Sequence, residues 1–169
     1  MDTSSSASLI TLLAIGESKV YVQLILALTL GVLIGLERTL AGKMAGLRTY
    51  GLVSMAACLL ILTDRAAAGS VATSGLMYDA SRMAPGIMTA IGFLCAGLII
   101  LRNEHLLGVT SAAGLFMAGA VGIAVGFELY ELATFTTFLT LFVFTALWFL
   151  EHKLLPPGYS KPGDGPKVG

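Results

Sequence analysis

Five uncharged apolar runs, each roughly 17–20 residues long, recur along this chain and restrict its fold more than any other feature. A helix of that length crosses the ~30 Å hydrocarbon core of a bilayer. In lipid no water satisfies the backbone, so each N–H and C=O must be paired within the segment, and helix is the form that does this. The alternating pattern of a membrane barrel, about ten residues per strand, is absent. Charge is scarce: 12% of residues are charged, about half the share usual in soluble domains. The expected fold is therefore all-α, an integral membrane bundle of about five transmembrane helices. The runs place spans at 20–36, 47–62, 85–101, 110–127 and 132–150. Pro85 suits a first helical turn, and Thr110 suits a cap.

Residues 1–19 carry Asp2 and no early Lys or Arg, unlike a signal peptide, and Leu9, Ile10, Leu12 and Leu13 suggest an interfacial helix. The tail at 151–169 is rich in Pro and Gly and is expected to be disordered, on the cytoplasmic side. Positive loops stay cytoplasmic. Arg38, Lys43, Arg48, Arg102, Lys153, Lys161 and Lys167 fall on one side of the spans; Lys19, Arg65 and Arg82 fall on the other. That imbalance predicts an outside N-terminus, an inside C-terminus and an odd number of crossings. Gly31 and Gly35, like Gly122 and Gly126, stand four apart, a spacing that brings helix backbones together. Either they pack this bundle or they form a face for a homodimer or higher oligomer.

Zero formal net charge gives no electrostatic case for nucleic acid. Cys58 and Cys95 lie within apolar runs and read as small buried residues. His105 and His152 are isolated, and no catalytic triad, P-loop or dinucleotide fingerprint is present, so an enzyme is not expected.

The runs GVLIGLER (31–38), GLRTYGLV (46–53), DASRMAPGIMTAIGFLCAG (79–97), GVTSAA (108–113) and AVGIAVGFELY (120–130) occur in an order that resembles the MgtC/SapB family of bacterial membrane proteins. The resemblance covers roughly 20–150. Small glycines are usual in that family where Ala90 and Cys95 stand here, and a Trp is usual near Phe116. Many members also carry a soluble regulatory domain after the fifth helix, which a tail of this length does not accommodate. The resemblance implies a multi-pass protein of the bacterial inner membrane that serves magnesium homeostasis and adaptation to low Mg²⁺, and survival inside host cells in pathogens. It implies action on another membrane complex, with the ATP synthase as one partner, and alternatively transport of Mg²⁺ or another cation. No cofactor other than Mg²⁺ is suggested. The family motifs mark Arg38, Gly46, Arg48, Thr49, Arg82, Gly92, Phe93, Gly97 and Thr110 as structural or functional positions.

Three sets of residues carry the chemistry. Glu37 and Arg38 end the first span, and Arg48 opens the second, about ten residues on. Charge beside a membrane pairs or lines a polar path. The set is therefore an Arg–Glu clamp on the helical hairpin, or a cation or partner site built on Glu37. Asp79 and Arg82, three apart, are an ion pair at a helix start, or Asp79 is an outer carboxylate meeting Mg²⁺ through water. Asp64, or Glu128 and Glu131 across the bundle, could complete such a site with Asp79. Thr89, Gly92, Cys95, Gly97, Thr110 and Ser111 are uncharged and read as packing surfaces or as the lining of a pore.

Overall fold

The structure is a computed structural model that describes residues 3–72, 82–102 and 105–154, with side-chain surroundings for 18–68, 82–99, 107–150 and 153. Five helices follow one another: α1 (Thr3–Leu40), α2 (Leu47–Ala72), α3 (Met83–Leu98), α4 (Val109–Gly126) and α5 (Tyr130–Leu154). Four contain stretches long and apolar enough to cross a membrane: Ser18–Leu40, Leu47–Ala68, Val109–Gly126 and Tyr130–Leu150. The fifth, α3, has 16 residues, which at 1.5 Å per residue gives about 24 Å. Over the described residues the chain is an all-helical membrane bundle, interrupted by one short ribbon.

That ribbon joins α3 to α4, and it replaces the end of the expected third span. Strands β1 (Ile100–Arg102) and β2 (His105–Leu107) pair antiparallel, with Leu101 opposite Leu106. The helix stops at Leu98 because Ile99 turns to extended backbone, its N–H donating to Ala96 O at 3.2 Å. Gly97 weakens the last helical turn, and the β-branched pair Ile99-Ile100 favours the extended form. Gly108 closes the ribbon at φ 86°, and a Cβ there would collide with Leu98 O. Only glycine fits that junction.

The other helix ends also differ from the expected spans. Helix α1 begins at Thr3, so the described part of 1–19 is helical and continuous with the first span. Helix α2 runs ten residues past the expected end, from Leu62 to Ala72, and carries Asp64 and Arg65 within it. Helix α5 extends over Tyr130–Leu154, two residues earlier and four later than the apolar run. Hydropathy reports the segment that lipid can cover, whereas backbone hydrogen bonding continues into polar residues beyond it. Residues 155–169 lie outside the described residues.

Helices α1, α2 and α4 form the centre. Their closest approach is at small residues: a Cβ on Gly31 would lie 2.6 Å from Ser54 Cβ and 2.7 Å from Tyr50 O. A Cβ on Gly122 would strike Ser54 O from the opposite side. Gly35 meets Leu47 and Tyr50, and Gly126 meets Ile61, in the same manner. The four glycines singled out from the sequence are therefore spent inside the bundle, where backbone contact replaces the hydrophobic drive that lipid does not provide. Around this centre lie Ala27, Leu30, Ile34, Ala57, Cys58, Ile61, Leu115, Ala118, Val121 and Val125, all buried. Helix α3 leans on α4 through Ile87, Ile91 and Cys95, with Ile91 against Gly119. Helix α5 presents Phe135, Phe138, Phe142, Trp148 and Phe149 outward.

Candidate functional site

The charged and polar side chains gather at the two ends of the bundle. At one end α1 closes on Glu37 and Arg38. Arg38 is only 4% exposed, its Nε donates to the Glu37 carboxylate, and its guanidinium carbon lies 3.8 Å from the centre of the Phe144 ring on α5. The cation is thus held by a charge on one side and a π face on another, which makes a buried guanidinium tolerable. Beside it Tyr50 is fully buried, and its hydroxyl donates to Ser111 O at 2.7 Å, joining α2 to α4. Gly114 leaves the space: a Cβ there would fall 2.8 Å from Phe144 Cζ and 2.9 Å from Tyr50 Oη. Cys95 Sγ donates to Ala112 O at 3.1 Å, which brings α3 onto the same end of α4.

The link between α1 and α2 is closed by a threonine. Thr39 Oγ1 donates to Gly35 O at 3.0 Å and accepts the Leu47 N–H at 3.1 Å, so one hydroxyl ends α1 and starts α2. Gly46 packs directly on Thr39. Arg48 is exposed and Thr49 half-buried. Among the described residues, Glu37 takes its ion pair from Arg38, its chain neighbour, and not from Arg48. The clamp therefore forms within α1 and reaches α5 through Phe144.

At the other end, Glu128 binds two cations from two other helices. Its carboxylate accepts Lys19 Nζ at 2.6 Å and an Arg65 terminal nitrogen at 2.7 Å, while Arg65 also donates to Gly126 O at 2.8 Å. Glu128 occupies the α4–α5 turn at φ 67°, a left-handed conformation unusual for a residue with a Cβ. The hydrogen bonds from Lys19 first, and from Arg65 second, hold its carboxyl below the usual carboxylate range. Gln23, buried on α1, donates to Val125 O at 3.1 Å, one turn deeper. This network was not legible in the sequence, where Glu128 read as a possible partner of Asp79 in an outer cation site. The one local signal is the ELYE break between two apolar runs.

The remaining candidates divide. Asp79 lies outside the described residues. Arg82 is exposed ahead of α3 and makes no side-chain cap. Thr89 faces outward and donates to Pro85 O at 2.9 Å; Phe93 is 84% exposed, and Thr110 is exposed too. At Gly92 and Gly97 an added Cβ would meet nothing. Thr89 is outward and Ser111 inward, so the polar residues of α3 and α4 do not share one face. Among the described residues, no three His, Cys, Asp or Glu side chains converge as metal ligands. Ser54, the eighth residue of α2, is fully buried between Gly31 and Gly122, and backbones meet there.

The arrangement ties α1, α2 and the α4–α5 turn together at one end and all five helices at the other. Residues 24–153 match the MgtC family model. The putative magnesium transporter YhiD of Escherichia coli K12 is 34% identical over 139 residues, 82% of this chain and 65% of that protein. Protein SrpB of Synechococcus elongatus is 34% identical over 127 residues, 70% of this chain and 69% of that protein. Protein MgtC of Salmonella typhimurium LT2 is 36% identical over 118 residues, 70% of this chain and 48% of that protein. The chain thus spans less than two thirds of the YhiD and MgtC relatives' length. No solved structure matches it. A match across most of its length, together with the five-helix architecture, places the chain in the MgtC family.

Proposed function

We propose that this protein serves magnesium homeostasis as a regulatory component of the bacterial inner membrane, acting by binding another membrane complex. The observation that carries this reading is the closed centre. Gly31, Ser54 and Gly122 bring three backbones into contact within the bundle, and Lys19, Arg65 and Glu128 at one end, like Glu37 and Arg38 at the other, are paired with one another. A charge-selective conduit needs ionisable or carbonyl groups along a wet path. Helices of this kind instead offer a rigid lipid-facing surface, with α3 and α5 outermost, to a neighbouring membrane protein. The ATP synthase is the partner suggested by the family resemblance, and self-association of this chain is compatible with the same surface. The orientation that suits the basic residues is N-terminus outside, C-terminus inside.

The name of the Escherichia coli relative, a putative magnesium transporter, favours a second reading in which the chain itself conducts Mg²⁺. In that case Glu37 on the inner side and Asp79 on the outer side meet the ion through its waters. Uptake of Mg²⁺ into proteoliposomes under an imposed membrane potential separates the two. The regulatory reading expects uptake equal to that of protein-free liposomes. Uptake well above that baseline, lost in Glu37→Gln or Asp79→Asn, overturns it in favour of the conduit.

A further inference from the structure

A guanidinium carries five N–H donors, and among the described residues Arg38 spends only the one on Nε, given to Glu37. Its two terminal nitrogens have no acceptor there, although the side chain is 5% exposed. Buried donors without an acceptor are costly, so four unspent N–H groups in this position call for an oxygen from outside the bundle. They are also reachable. Among the described residues, the fully enclosed side-chain atoms without a partner are Ser54 Oγ and Asp64 Oδ2; the Arg38 nitrogens are not enclosed in that way. The guanidinium lies on the Phe144 ring, between α1 and α5.

Depth and charge narrow the kind of oxygen. Arg38 is in the last turn of α1, and the apolar stretch Ser18–Leu40 has 23 residues. At 1.5 Å per residue that is about 34 Å, more than the ~30 Å hydrocarbon core, so its last turn stands in the headgroup layer. Glu37 offsets the charge of Arg38 itself. The surplus comes from Lys43 and Arg48, both exposed and without an ion pair among the described residues. The Lys43 N–H donates to Arg38 O at 3.0 Å, and Leu47, next to Arg48, packs on Gly35. Both cationic stems therefore start beside the Arg38 turn. Leu40 and Met44, 80% and 65% exposed, supply an apolar flank, as do Leu147 and Trp148 one turn past Phe144.

We propose that Arg38, with Lys43 and Arg48, binds the phosphate of an anionic phospholipid whose acyl chains lie along Leu40, Met44 and the outer face of α5. The fork of terminal nitrogens matches two phosphate oxygens, which a lysine at the same place could meet only as a point charge. Lys43 and Arg48 supply the attraction that selects net negative charge. A zwitterionic headgroup brings its own cation to the phosphate and gains less from them. Inorganic phosphate presents the same oxygens, but it must leave water for the edge of the hydrocarbon, where a lipid phosphate already resides. The site is independent of whether the protein regulates another complex or conducts an ion.

The test is native mass spectrometry of the full chain released from nanodiscs of equal parts phosphatidylcholine and phosphatidylglycerol. Thermal unfolding in micelles supplemented with either lipid, or with inorganic phosphate, runs beside it. The wild type is expected to retain phosphatidylglycerol over phosphatidylcholine by about tenfold, the worth of one charge-assisted hydrogen bond. Phosphatidylglycerol should also raise its melting temperature by about 3 °C or more, and inorganic phosphate should not. Lys43→Gln combined with Arg48→Gln changes two exposed positions, leaves the Glu37–Arg38 pair in place, and is expected to lose most of the lipid preference. Arg38→Lys keeps the charge without the fork and is expected to lose it as well. Equal retention of the two lipids by the wild type overturns the site and leaves the Arg38 donors to an acidic group of a partner protein. Stabilisation by inorganic phosphate that matches phosphatidylglycerol overturns the lipid as the source of the phosphate. A preference kept in full by folded Arg38→Lys removes Arg38 from the site. Should that variant fail to fold, an undiminished preference in the Lys43 and Arg48 double variant overturns the proposal alone.

Discussion

At the scale of single residues, the sharpest feature is the crossing at Ser54. Its hydroxyl is fully buried and has no hydrogen-bond partner, while its backbone touches Gly122 and its Cβ faces Gly31. Removing an unpaired buried hydroxyl is nearly neutral or favourable, whereas adding methyls at a backbone contact forces helices apart. Ser54→Ala is therefore expected to match or exceed wild-type stability by up to about 1 kcal/mol. Gly122→Val is expected to lose about 1–3 kcal/mol or to misfold. Guided unfolding in mixed micelles checks both. Glu128 makes a different prediction, in pH. Its carboxyl is held low by Lys19 and Arg65, so its contribution is present above the unfolded carboxylate value of about 4.3 and is lost as pH falls through the lower folded value. Glu128→Gln should remove that acid loss and the sensitivity to salt that exposed ion pairs show.

At the scale of elements, the decisive contrast is between helices that spend their glycines inward and the one that does not. Helix α4 turns Gly114, Gly119, Gly122 and Gly126 to neighbouring side chains and backbones. On α3, Gly86, Gly92 and Gly97 have nothing within 4 Å of an added Cβ. Alanine at Gly92 is therefore expected to be tolerated, with helix propensity favouring it by about 1 kcal/mol or less. Alanine at Gly122 is not. The glycine-rich segments look alike in sequence because spacing does not say which face a helix turns inward. The Arg38 end adds a second test. Arg38→Lys keeps the charge but loses the planar group that lies on Phe144, so it should destabilise the bundle nearly as much as Arg38→Gln. Equal stability of Arg38→Lys and wild type, measured by the same unfolding assay, would remove the role given to the stacked ring. Tyr50→Phe should cost about 0.5–1.5 kcal/mol, since it leaves Ser111 O without its donor.

At the scale of the whole molecule, the charge asymmetry predicts which end faces the cytoplasm. In a chain lacking Cys58 and Cys95, a cysteine at Lys43 should react with an impermeant thiol reagent only from the cytoplasmic side, and one at Glu131 only from the outside. Both sites are exposed in the structure. Labelling of both from one side would mean an even number of crossings between them and would demote α3, the 16-residue helix, from a full span. The class of protein, the number of helices and the family were all legible in the order of apolar runs and in motifs such as GVLIGLER. So was the proximity of Glu37 and Arg38, which are chain neighbours. The clamp's true partner, Phe144, lies over a hundred residues away and was not legible. Nor was the bridge from Lys19 to Glu128, or the burial of Asp64 at the end of a helix that hydropathy stops at Leu62. Uncharged length alone commits a segment to helix in lipid, because the backbone has no other way to satisfy its hydrogen bonds. Which side chains then meet depends on how each helix is rotated about its axis. That was decided only when Gly31, Ser54 and Gly122 brought three backbones together and set the register of everything packed around them.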